Sequence, residues 1–284
     1  MIEATNICEA WVRLLREVWE QGHECSPRGK WIKELLHTQV TISDLRNNVL
    51  THPLRDLNYR FLVAEWLWIQ SFREDVVWIE RFNKQISKFS DDGKMFRGAY
   101  GPRLREQLHR VITFIGQDPD TRQAVIRIFD KTDLMVPTKD VPCTLSLQLL
   151  LRGGKLHSIM TMRSNDLWLG FPYDAFNFSQ LTNSIAGELG AETGSFTLQA
   201  GSSHIYEQDW HKVRDIVERD IRLGEFVRSP KLERIAPASI CEAVNFEPAK
   251  PDGAYYSLTN QEAVYVGALQ CKTKAGCLEV LRTL

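Results

Sequence analysis

The chain has 284 residues, with 35 Lys+Arg against 36 Asp+Glu for a net charge of -1, and it is 43% hydrophobic and 25% charged. This is ordinary globular composition, which excludes disorder as the main state, and the neutral balance argues against a coat for a nucleic-acid polymer. A small phosphorylated ligand is still allowed, because it needs only a few local cations. No apolar stretch approaches the roughly 20 residues of a membrane helix. The N-terminus, MIEATNICEAW, lacks a basic region followed by an apolar core, so no secretory signal is expected.

In chain order, Trp11, Leu14, Leu15 and Val18 have helical spacing and predict an amphipathic helix over residues 3–21. Pro27 and Gly29 break the chain. Residues 54–72 read as a second helix, with Leu57, Phe61, Ala64 and Trp68 on one face and Pro53 at its start. Asp91-Asp92-Gly93 is a turn. Ala124 to Phe129 suits a strand. Cys143–Leu151 and Lys155–Arg163 flank Gly153-Gly154 and predict a hairpin. Asp174–Leu189 reads as a helix ended by Gly190, Thr193–Ala200 as a strand and Glu207–Ile221 as a helix. From Val227 on, Pro230, Pro237, Pro248 and Pro251 break the pattern. Interspersed helices and strands with an antiparallel hairpin favour an α+β fold on one sheet.

The cysteines are Cys8, Cys25, Cys143, Cys241, Cys271 and Cys277, scattered without a CxxC pair or a zinc-like His spacing. Their default is reduced and inert. The neighbours of Cys143 set it apart. Pro142-Cys143 is followed by Arg163-Ser164-Asn165-Asp166, then Gly170-Phe171-Pro172-Tyr173-Asp174, then His204-Ile205-Tyr206. Upstream stand Ala64-Glu65-Trp66-Leu67-Trp68, Ala99-Tyr100-Gly101 and Asp118-Pro119-Asp120-Thr121-Arg122.

These segments, in this order and spacing, resemble the thymidylate synthase family over roughly residues 25–225. The resemblance implies a single α+β domain over 1–284: a large, mostly antiparallel or mixed sheet, covered by helices and dimerising through the sheet. It implies a cytoplasmic enzyme acting on a pyrimidine nucleoside monophosphate, with methylenetetrahydrofolate as cosubstrate and no metal. Cys143 is then the nucleophile that adds to C6 of the base and makes C5 nucleophilic. Arg163 is the candidate to lower its pKa. Glu65 organises proton transfers, with Tyr100 beside it in the catalytic set. A carboxylate among Ala64, Trp66, Leu67 and Trp68 is costly without such a role. Arg28, Arg163 and Ser164 match the phosphate ligands, and Arg122 matches one reaching over from a second subunit. His204 and Tyr206 match the sugar-hydroxyl ligands, and Asp166 and Trp68 fall to the folate side.

Three departures stand out. The family's two adjacent arginines are here Arg122-Gln123. Its Gly-Asp-x-His is here Gly201-Ser202-Ser203-His204. Asp174 stands where thymidylate synthases carry asparagine. An amide matches the N3–H donor and O4 acceptor of uracil. An ionised carboxylate instead accepts from the cytosine amino group and favours a protonated N3. Family members with aspartate here are phage deoxycytidylate and antibiotic-pathway cytidylate hydroxymethylases. The competing role for Asp174 is N-cap of the helix predicted to begin there. The C-terminal residues 276–284 do not resemble the apolar tail that seals thymidylate synthases. The expected product is therefore a 5-hydroxymethyl (d)CMP, with dCMP preferred. Methyl transfer to dCMP and thymidylate synthesis from dUMP are the alternatives.

Overall fold

A computed structural model describes residues 1–218 and 260–283. Its strands are β1 (Ile2–Ala4), β2 (His23–Cys25), β3 (Ile32–Ile42), β4 (Val125–Arg127), β5 (Thr144–Arg152), β6 (Lys155–Met162), β7 (Asn165–Asp166) and β8 (Glu192–Tyr206). They form one sheet in the order β1-β3-β8-β6-β5-β4, with β2 paired to β3 and β7 to β8. The β1–β3, β6–β8 and β7–β8 pairs are parallel and the others antiparallel, so the sheet is mixed. The helices are α1 (Ile7–Gln21), α2 (Tyr59–Gln70), α3 (Val76–Ile79), α4 (Tyr100–Gln117), α5 (Phe171–Glu188), α6 (Trp210–Glu218), α7 (Asn260–Gln270) and α8 (Lys274–Leu281). No described helix is long and apolar enough to cross a membrane.

Period-two patterning places Phe196, Leu198 and Ala200 of β8 and Val40 and Ile42 of β3 in the core, with α1 and α5 packed on these strands. The opposite face carries polar cross-strand pairs, Thr41–Thr197 at 3.0 Å and Gln39–Gln199 at 3.2 Å. The pattern then changes phase. His37 has φ 55° and lies opposite Gly201, between the pairs Leu36–Ser202 and Thr38–Ala200. A Cβ on Gly201 would sit 3.1 Å from the Arg163 carbonyl oxygen. Beyond this point Leu35 and Ile205 pack on the core. Glu34, Ser202, His204 and Tyr206 consequently turn to the other face.

The hairpin forms as its Gly-Gly turn requires, with Gly153 and Gly154 at φ 56° and 76°. Several boundaries differ from the sequence reading. Residues 2–4 are a strand, and α1 starts at Ile7 because Asn6 caps it, accepting from the Glu9 N–H at 3.0 Å. The second helix starts at Tyr59, not near Pro53, because Asn58 accepts from the Phe61 N–H at 3.1 Å. This helix is buried almost all round rather than on one face. The helix assigned to Asp174–Leu189 starts at Phe171 with Gly170 at the N-cap. Asp174 is therefore not a capping residue. The last strand runs on to Tyr206 and carries His204 within the sheet. Glu207–Asp209 is a 3-10 turn before α6, and residues 219–221 lie outside the described part, as do Pro230, Pro237, Pro248, Pro251 and Cys241. The sequence reading missed β2, β3, β7, α3, α4 and the helices α7 and α8.

Candidate active site

Cys143 lies at the entry to β5, half-buried, and its carbonyl accepts the Arg163 N–H at 2.9 Å. The Arg163 side chain folds back over the same loop. Its Nε and Nη2 donate to the Pro142 and Val141 carbonyls, each at 2.8 Å, while the residue stays exposed. The guanidinium lowers the Cys143 pKa as expected. Burial outweighs it, and the thiol is held above its ordinary value, with Asp174, Asp166 and Asp140 adding to the rise. Desolvation is thus the larger effect.

The Tyr100 hydroxyl accepts from Thr144 Oγ1 at 3.2 Å, next to Cys143. Its own proton is held firmly, because burial and the nearby Asp174 and Cys143 disfavour the phenolate. Asp174 occupies the first turn of α5. Gly170 leaves room for it: a Cβ there would lie 3.3 Å from Asp174 Oδ2 and 3.2 Å from the Asp166 carbonyl oxygen. Burial, then the charge of Asp166, pushes the Asp174 pKa up to about 7. Glu65 reaches in from α2. Burial, then Asp174, raises its pKa to about 8, against the opposing bond from Asn177. Asn177 Nδ2 donates to Glu65 Oε2 at 2.8 Å, and Asn177 Oδ1 is buried with no partner. Asn177 was not singled out from the sequence; its spacing of three from Asp174 on one helix was the available signal.

Asp166 is fixed by Trp168 N–H and Leu169 N–H, both donating to Oδ1 at 2.9 Å. In β7 it is the register partner of His204. His204 is 6% exposed and its Nδ1 has no partner. The Tyr206 ring stands edge-on to it at 5.2 Å. Arg28 lies in the Pro27–Gly29 turn at φ 56°, exposed, and its charge acts on His204. Ser164 is half-buried between Arg163 and β7.

Two assigned residues stand apart. Trp68 is buried against Phe96, and its indole N–H donates to the Asp75 carbonyl at 3.0 Å, so its polar atom is committed. Arg122 is exposed just before β4, and its carbonyl accepts from Gln148 at 3.1 Å. The β4–β5 register extrapolates Arg122 to the Leu151 end of β5, opposite the Cys143 end. That is roughly 25 Å of strand from the thiol.

Two carboxyls with pKa values near neutrality, a thiol and a phenol converge around one space, with a cation at its edge. Such a set suits nucleophilic addition coupled to proton transfer. The unpartnered Asn177 Oδ1 and His204 Nδ1 leave hydrogen-bonding capacity for a polar ligand.

The thymidylate synthase family model matches residues 9–244. A Bacillus phage SP01 deoxyuridylate hydroxymethyltransferase is 36% identical over 220 residues, 71% of this chain and 57% of its own length. A Pseudomonas phage M6 protein of the same name is 34% identical over 178 residues, 60% of this chain and 51% of its own length. The chain thus spans about half the length of these phage relatives.

Proposed function

This chain belongs to the thymidylate synthase family, and on that premise we propose that it hydroxymethylates C5 of a pyrimidine nucleoside monophosphate, preferring dCMP. Enzymes of this family and its hydroxymethyltransferase relatives use methylenetetrahydrofolate, which supplies the one-carbon unit when bound. The residues present fit that cosubstrate. Asp166 presents a carboxylate whose Oδ1 alone is taken by backbone donors among the described hydrogen bonds, which leaves Oδ2 for a ring N–H.

The observation that carries the reading is the convergence of Cys143, Asp174 and Glu65. The Cys143 thiolate adds to C6 of the base. Arg28, Arg163 and Ser164 hold the phosphate, whose charge keeps the guanidinium beside the thiol. The His204–Tyr206 pair takes the sugar hydroxyl. Asp174 meets the base edge, accepting from the cytosine amino group. Glu65, with a pKa of about 8, carries a proton at neutral pH and exchanges it through water held by Asn177. Tyr100 lies against the thiol side of the base as a second proton donor and acceptor. Addition of water at the exocyclic carbon, rather than hydride, gives the hydroxymethyl product. Arg122 serves the phosphate of a second copy, with the polar sheet face of Gln39, Thr41, Thr197 and Gln199 as the dimer contact.

A second reading is favoured by Asp174 itself. At a pKa of about 7 its neutral form is well populated. A neutral carboxyl has one donor and one acceptor, so it also matches uracil. The two phage relatives carry the deoxyuridylate name. The test is incubation with dCMP, CMP or dUMP plus methylenetetrahydrofolate, followed by product mass. A gain of a methyl group overturns hydroxymethylation, and turnover of dUMP with none of dCMP overturns the base assignment.

A further inference from the structure

The replacement of Gly-Asp-x-His by Gly201-Ser202-Ser203-His204 has a structural counterpart one strand away. Glu34 on β3 is the register partner of His204 on β8, and its neighbour Leu36 is the partner of Ser202. The Ser202 hydroxyl donates to Glu34 Oε2 at 2.5 Å. The other oxygen, Oε1, accepts from Cys25 Sγ at 3.2 Å and faces His23 Nε2 at 3.7 Å, both from β2. Direct cross-strand partners hold their Cβ atoms about 5 Å apart on one face. Period-two alternation keeps Glu34, Ser202, His204 and Tyr206 on one face, and the phase change at His37 and Gly201 turns that face away from the core.

We infer that Glu34 is a positioning residue of the sugar site, supplying from β3 the carboxylate that β8 lacks and holding His204 in register through the Ser202 bond and its charge. This rests on the reading of His204 and Tyr206 as sugar ligands. His204 lies between two strands that each bring a carboxylate level with it, Glu34 on β3 and Asp166 on β7. Arg28 is the cation that opposes them. The buried imidazole keeps Nδ1 unpartnered, and the flanking charges act on its proton together with a hydrogen bond to the Ser202 backbone. Desolvation pulls its pKa down, and Asp166 and Glu34 pull it back. Glu34 itself is kept ionised chiefly by the Ser202 bond.

The experiment uses the full chain and dCMP and dUMP as probes. Glu34→Gln keeps the shape and removes the charge. The expected result is a roughly tenfold rise in nucleotide KM with kcat within about twofold, the loss that one charge-assisted contact carries, and a KM that rises at lower pH than in the parent. Ser202→Asp alone places two carboxylates together and weakens binding similarly. Glu34→Ser combined with Ser202→Asp restores one carboxylate and recovers nucleotide KM. Melting temperature is followed for all variants, so that loss of fold is seen as such. A parent-like KM and pH profile in Glu34→Gln overturns the inference, as does a double variant no better than Glu34→Ser. If the parent binds neither nucleotide, the functional reading fails first; if the parent binds and Glu34→Gln binds equally, only the role of Glu34 fails.

Discussion

Asn177 Nδ2 donates to Glu65 Oε2 at 2.8 Å, and Asn177 lies three residues beyond Asp174 on α5. One helix face therefore addresses both carboxyls of the site. The Asn177 bond favours the ionised form of Glu65 against burial and the Asp174 charge. Asn177→Ala removes it, so the Glu65 pKa rises above about 8. The expected outcome is a fall in kcat of roughly 10- to 100-fold, with the pH limb assigned to Glu65 displaced to higher pH. Glu65→Gln loses that limb altogether. A kcat–pH profile for each variant checks this.

Cys143→Ser is expected to abolish release of tritium from C5 of the nucleotide while leaving the melting temperature close to that of the parent. Arg163→Ala removes the charge that lowers the thiol pKa. Its tritium release at pH 7 should fall by roughly tenfold or more, since each pKa unit is a tenfold change in thiolate, and recover in part at pH 9. Retention of exchange in Cys143→Ser would show that another group is the nucleophile.

Base preference should follow the proton on Asp174. Its neutral form pairs with either base, whereas its ionised form repels uracil O4. The dCMP to dUMP ratio of kcat/KM is expected to rise as pH passes through about 7, the value set by burial and Asp166. Glu65, Tyr100 and Cys143 also face this carboxyl, so the midpoint is best read from the ratio, in which their common effects cancel. Asp174→Asn should remove the pH dependence and favour dUMP by roughly 1–3 kcal/mol, the range for base-edge discrimination.

Stability should show the same two carboxyls with the opposite benefit. Asp174 and Glu65 titrate higher in the folded chain, at about 7 and about 8, than their ordinary 3.8 and 4.5. Folding thus takes up protons between these limits. Their contribution is complete below about pH 4 and is lost as pH rises through about 7 and then about 8. Glu65→Gln and Asp174→Asn should raise the melting temperature at pH 8.5, by roughly 2–4 °C for each kcal/mol relieved, and change it little at pH 4. A scan of melting temperature against pH for the three proteins tests the sign.

Arg122 is proposed to serve a neighbouring copy because it matches the family's arginine-lending segment, and it lies at the far end of β5 from Cys143. Arg122→Ala and Cys143→Ser should each be nearly inactive. Mixed after dissociation and reassociation, they should regain about a quarter of parental activity, because half the dimers are hybrids and each hybrid has one complete site. No recovery would place Arg122 outside the phosphate site.

Much of the outline was legible in the sequence because the signals are local. The Gly153-Gly154 turn set the hairpin, helical spacing of Trp11, Leu14, Leu15 and Val18 set α1, and the ordered segments around Cys143, Asp174 and His204 set the family. The misses have local causes as well. α4 opens on Gly101-Pro102, which hides Leu104, Val111 and Ile115 behind apparent turn signals. β3 changes phase at His37, so its alternation is broken midway.

The sequence by itself determined which chemistry-bearing residues are present and in what order. Only the tertiary structure decided their protonation and their partners. Burial gave Asp174 a pKa of about 7 and turned an expected fixed carboxylate into a titrating one. Burial also outweighed Arg163 at Cys143. Pairing of β3 with β8 brought Glu34 to Ser202 across 168 positions. A sequence pattern reports the local period of the chain, whereas desolvation and cross-strand pairing depend on which distant segments close over a group.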